Sequence, residues 1–191
     1  MTDTIDLPGF ADPVRDAQAC FRAILGAMAR PGSLHRLPLG LTPPGPLDSA
    51  TAAVLLTLLD GEASLAIAAE FGPAAAWIAF HCGIAVAEGA AEFVLAGTLP
   101  DLAALDAGSD ECPEASTTVI LQVPALGSGT GYVLAGPGLE RPTGFAAAGL
   151  PAEFVALWAA NHGLYPRGVD LILCAGDTIA ALPRTTRIGE A

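Results

Sequence analysis

Arginine is the residue type in this chain best suited to grip an anion, and it is scarce. All eight basic side chains among the 191 residues are arginines; lysine is absent. A guanidinium matches phosphate or phosphonate oxygens in a bidentate fork. Arg184 is followed directly by Thr185 and Thr186, whose hydroxyls add donors. The missing lysine excludes chemistry outright. The chain can form no lysine Schiff base with pyridoxal phosphate, and it has no lysine nucleophile and no Walker-type phosphate lysine.

The remaining reactive side chains form no motif. His35, His81 and His162 share no ligand spacing, and Cys20, Cys82, Cys112 and Cys174 contain no Cys-x-x-Cys pair, so no metal site is expected. His81 and Cys82 adjoin at an expected helix C-terminus, where the dipole favours an imidazolium. Neighbours on a helix point about 100° apart, which argues against a thiol–imidazole pair. No Gly-x-Ser-x-Gly elbow is present, so a serine hydrolase is unsupported. The GSGTG run at 127–131 could cradle a phosphate on its backbone N–H groups. It joins two strand-like runs instead of a strand and a helix, which favours a hairpin loop. Residues 136–138, Gly-Pro-Gly, read as a turn. No catalytic residue and no cofactor emerge.

The elements that must position these groups alternate. Asp12 and Pro13 supply a cap and a first-turn proline. Ala17, Cys20, Phe21, Ile24, Leu25 and Met28 then recur at helical spacing, with Arg15, Gln18 and Arg22 opposite, until Pro31 and Gly32 stop the helix. Residues 33–37 start the sheet. Asp48 caps a helix over 49–60 that is apolar nearly all round and therefore buried. Residues 64–69 read as a strand, 73–80 as a helix, 84–86 and 92–95 as short strands, and Leu102 and Leu105 as a helical turn or two. Residues 117–123 form a β-branched strand, 132–135 the next, and Pro151 opens a helix ended by Gly163. Residues 169–175 and 178–182 form a hairpin about a Gly176-Asp177 turn. That register sets Asp170 opposite Pro183 and Val169 opposite Arg184. Asp170 and Arg184 become diagonal neighbours on opposite faces by strand alternation. The pattern predicts a single α/β domain over residues 1–191, with helices on both faces of a mixed sheet. Residues 1–12 are expected to form a flexible N-terminal segment.

Hydrophobic residues make up 52% and charged residues 15% of the chain. It can bury enough apolar surface to fold, and the excess fits a partner-covered surface or an Ala-, Gly- and Pro-rich coding bias. A formal charge of −12 repels nucleic-acid backbones. The first residues lack a signal-peptide pattern and no apolar run approaches the roughly 18 residues of a membrane span. A cytoplasmic protein with free thiols follows.

The segment at 165–186 resembles the C-terminus of the PhnH family, the H subunit of the bacterial carbon–phosphorus lyase system that degrades phosphonates. The likeness continues through residues 16–22 (DAQACFR), 28–32 (MARPG), 54–60 (VLLTLLD), Phe80 and His81, and 113–123. It implies a three-layer sandwich similar to pyridoxal-phosphate-dependent transferases, here without the cofactor lysine. It implies a homodimer and an accessory subunit that assembles with the G, I and J subunits. It also implies a part, with the G, I and L subunits, in making ribose 1-phosphonate 5-triphosphate from ATP and a phosphonate. Arg22, Arg30 and Arg184 fall inside the matching motifs. Two readings stay open for Arg22, Arg184 and Thr185. Either they converge in an open cleft at the homodimer interface and the chain is an enzyme or binder that takes a phosphate or phosphonate, or the arginines pair with Asp16, Glu114 or Asp170 and fix the fold or an interface.

Overall fold

The computed structural model describes residues 4–87 and 89–191. Its central sheet has six strands: β1 (His35–Arg36), β2 (Leu65–Ile67), β3 (Phe93–Ala96), β4 (Thr118–Gln122), β7 (Asp170–Ala175) and β8 (Thr178–Leu182), in the order β1-β8-β7-β4-β3-β2. β2, β3, β4 and β7 run parallel. β8 returns antiparallel to β7, and β1 pairs antiparallel with β8 at the edge. The sheet is therefore mixed, and the C-terminal hairpin closes at Ala175 and Thr178 as its turn sequence requires.

Alternation along these strands divides two cores. Ile120, Ile172, Cys174 and Ile179 face one cluster; Val119, Leu121, Leu171, Leu173, Ala180 and Leu182 face the other. The first cluster is covered by helices α1 (Pro13–Ala29), α2 (Ser49–Leu58) and α3 (Ala75–Cys82). α2 is sealed from water over Ala50–Leu55, as its all-round apolar sequence demands. On α1, Asp12 caps through Oδ1, accepting from the Arg15 N–H at 3.2 Å, and Cys20, Ile24 and Ala27 face inward. Phe21 and Leu25, expected on that inner face, are exposed instead. The buried stripe of α1 is narrower than its apolar one.

The opposite face departs from expectation. It carries one helix, α4 (Phe154–His162), and a second sheet of three strands: β5 (Leu126–Ala135), β6 (Thr143–Ala147) and β9 (Arg187–Glu190), ordered β6-β5-β9. The layers are helix, mixed sheet, and a sheet-plus-helix layer, not helices on both sides. The GSGTG run is not a hairpin loop: β4 and β5 lie in different sheets, and residues 127–131 belong to β5. Ala147 pairs with both Leu126 and Thr130, which marks a bulge. Gly127 and Gly129, at φ 78° and 100°, supply backbone angles that other residues rarely adopt.

Residues 1–3 of the segment expected to be flexible lie outside the described residues. Further on, the chain is docked. The Leu7 carbonyl accepts from Trp77 Nε1 at 2.8 Å and lies 3.0 Å from His81 Nε2. Leu7 and Phe10 pack on the first core.

Candidate functional site

β8 ends at Leu182 because Pro183 has no N–H to continue a ladder. Residues 183–186 then turn, with the Thr186 N–H donating to the Pro183 carbonyl at 2.8 Å. α4 pins this turn from the side. Trp158 Nε1 donates to the Thr186 carbonyl at 2.7 Å, and His162 Nδ1 lies 2.8 Å from the Arg184 carbonyl. A carbonyl only accepts, so Nδ1 is the donor in this contact. Buried Asn161 grips the start of β7, bonding the Val169 N–H and carbonyl at 2.8 and 2.9 Å.

The turn frees Arg184 from strand alternation. Asp170 and Arg184 are diagonal neighbours as the register predicts, but not on opposite faces. The Arg184 N–H donates to Asp170 Oδ1 at 2.7 Å, and its Nε reaches Oδ1 at 3.1 Å and Oδ2 at 3.2 Å. One terminal nitrogen also bonds Oδ2 and the other donates to the Pro113 carbonyl. The pair is mostly buried, with side chains 13% and 17% exposed. Every nitrogen of that guanidinium is therefore bonded to the protein.

Four of the six residues singled out in the sequence share one open cleft of about 370 Å³: Glu114, Asp170, Arg184 and Thr185. The other two lie apart on α1. Asp16 accepts from the Asp12 N–H at 3.0 Å and closes its own helix start. Arg22 is exposed and, among the described residues, makes no ion pair. Arg22, Arg184 and Thr185 do not converge. A second cleft of about 240 Å³ adjoins the first through Tyr165 and Thr185 and adds His162 and Arg187. None of Tyr165, His162 and Arg187 stood out in the sequence as a site residue: Tyr165 opens the recognised C-terminal segment, Arg187 follows it, and His162, which shares no ligand spacing, reaches it through the Arg184 carbonyl.

Among the described residues, no three His, Cys, Asp or Glu side chains gather as metal ligands. His81 and Cys82 point to different partners, Leu7 and Leu55. Burial pushes the Cys82 thiol up to about 12, so it is not a poised nucleophile. Burial likewise raises Cys20 and Cys174. No helix among the described residues is long and apolar enough to cross a membrane.

Residues 8–189 match the family described as bacterial phosphonate metabolism protein (PhnH). The chain belongs to the PhnH family. It is 39% identical over 186 residues to the alpha-D-ribose 1-methylphosphonate 5-triphosphate synthase subunit PhnH of Rhizobium meliloti, covering 94% of this chain and 93% of that one. It is 34% identical over 172 residues to a putative C-P lyase subunit protein, HtxG, of Stutzerimonas stutzeri, covering 90% and 85%. The family match at residues 8–189 takes in the Asp170–Arg184 corner and all of both sheets but the last residue of β9.

Proposed function

We propose that this chain is an accessory, structural subunit of a carbon–phosphorus lyase core complex, required for phosphonate catabolism. In this reading it assembles with the G, I and J subunits. With G, I and L it contributes to forming ribose 1-phosphonate 5-triphosphate from ATP and a phosphonate. The observation that carries the reading is the near full-length likeness to a subunit of the 5-triphosphate synthase. The geometry supports it: the guanidinium in the most recognisable motif is consumed inside the fold by Asp170 and Pro113. A group so bonded braces a corner and is not offered to a substrate.

A homodimer belongs to the same proposal. Val14, Phe21 and Leu25 are exposed on α1, and their spacing of seven and four residues sets them on one side of the helix. That stripe suits a subunit contact better than open water. The proposal includes a cytoplasmic location and a fold related to pyridoxal-phosphate-dependent transferases, adopted without the anchoring lysine. The test is complementation. A phosphonate-degrading bacterium lacking its H subunit should regain growth on methylphosphonate as sole phosphorus source when given this chain. Growth on phosphate without growth on methylphosphonate would count against the reading.

A further inference from the structure

The chain carries 20 acidic and 8 basic side chains, so an unpaired guanidinium is unusual on its surface. Arg15, Arg36, Arg167 and Arg184 each lie within ion-pair distance of an aspartate. Among the described residues, Arg22, Arg30, Arg141 and Arg187 have no such partner. Two of those four, Arg30 and Arg141, line the same cavity of about 570 Å³. They come from segments more than a hundred residues apart. Arg30 caps the C-terminus of α1, and Arg141 precedes β6. Helix-dipole compensation accounts for a cation at Arg30 alone; it gives no reason for Arg141 beside it.

The two segments are locked together. Gly138 has φ 82°, and a Cβ there would collide with the Ala29 carbonyl. The Gly136–Leu139 turn therefore lies directly on the last turn of α1, which fixes the loop bearing Arg141 against the residue before Arg30. Ser33 and Thr143 add hydroxyls to the lining, and among the described residues Glu140 is the single carboxylate on it. The positive character is felt nearby. The His35 imidazole has its pKa lowered, first by burial and then by the charge of Arg30.

We propose that this cavity is a binding site for a phosphorylated small molecule, held through its phosphoryl oxygens by Arg30 and Arg141 together. Guanidinium forks suit tetrahedral oxyanions. The volume lies in the range of small-molecule sites and leaves room for more than one phosphoryl group. The glycine contact holds together the two backbone segments that carry the arginines, which lowers the ordering cost of binding. The site is separate from the Asp170–Arg184 corner, and its test needs only the isolated chain. It stands or falls apart from complex assembly.

The experiment is calorimetric titration of the purified full chain with inorganic triphosphate, orthophosphate and methylphosphonate at matched ionic strength. Arg30→Gln and Arg141→Gln should each weaken the tightest of these by about tenfold or more. Both side chains are exposed, so folding should persist, and melting curves check it. Arg22→Gln, on exposed α1, should bind like the wild type. Glu140→Gln should bind more tightly, because it removes the one opposing charge. Tighter binding of triphosphate than of methylphosphonate names a polyphosphate end as the ligand, and the reverse order names a phosphonate. Absence of binding by all three probes overturns the proposal. So does equal binding by Arg30→Gln, Arg141→Gln and Arg22→Gln.

Discussion

Arg184 and Asp170 are joined twice across the open end of the β7–β8 hairpin, by main chain at 2.7 Å and by a forked guanidinium–carboxylate pair. The fork also reaches the Pro113 carbonyl. One side chain thus ties the last sheet turn to the loop before β4. Losing it leaves Asp170 mostly buried without its cation. Arg184→Ala should cost about 2–5 kcal/mol in stability. Arg15→Ala, 87% exposed and 3.6 Å from Asp12, should cost less than about 0.5 kcal/mol. Urea denaturation of the two variants measures this. The same ranking should appear in growth on a phosphonate. Equal midpoints for Arg184→Ala and wild type would remove the bracing role.

Packing at the turn over α1 makes a second prediction. Gly138→Ala places a methyl against the Ala29 carbonyl at a positive φ and should destabilise the chain by more than about 1 kcal/mol. Gly144→Ala, on β6, meets nothing within 4 Å and should be neutral or slightly stabilising. Thermal melts of the pair should diverge. Equal melting temperatures would mean that the turn does not sit on the helix end.

Burial of the thiols sets a third. Cys20, Cys82 and Cys174 are buried and Cys112 is exposed. A thiol reagent should therefore modify one cysteine of the native chain rapidly and all four after unfolding. Cys82 moves from 9.0 to about 12, and Cys174 is raised as well. These groups keep their protons in the folded state while the unfolded chain loses them. Their contribution is full below pH 9 and is lost as pH rises from there toward 12. Denaturation midpoints should fall across that window, and Cys82→Ala should flatten part of the slope. A flat alkaline profile would contradict the buried-thiol assignment.

The absence of lysine gives a fourth. Incubation with pyridoxal phosphate followed by borohydride should leave no pyridoxyl group on any side chain, as read by peptide mass mapping. A labelled internal side chain would contradict it.

The hairpin was legible because its signals are local. A Gly176-Asp177 turn between two β-leaning runs fixes the register, and the register placed Asp170 opposite Pro183. α1 was legible from its cap and periodicity and α2 from its apolar run, but Asp48 does not cap α2 as expected: its side chain accepts from the Gly176 N–H at 2.8 Å. The second sheet was not. β6 reads Thr-Gly-Phe-Ala-Ala and β9 Arg-Ile-Gly-Glu, each too short and glycine-marked to show alternation. Their stability comes from pairing with β5, far along the chain. The glycines at 127, 129 and 131 disguised the first half of β5 as a loop, and only its second half, 132–135, read as a strand. At the corner, Asp170 stood in the sequence as one of three carboxylates open to pairing, but strand alternation set it on the face opposite Arg184. Whether Arg184 pairs with Asp170 depends on where β8 stops, and Pro183 decides that. The Arg30–Arg141 cavity rests on a contact between Gly138 and Ala29 that no spacing rule reveals.

The central claim is that this chain works as a subunit of an assembly, and co-purification tests it most directly. Tagged chain expressed with the G, I and J subunits of its own system should carry all three through affinity capture and gel filtration as one peak. Arg184→Ala should weaken that recovery in step with its loss of stability. Elution of the wild-type chain alone, folded and free of the other three, would contradict the account.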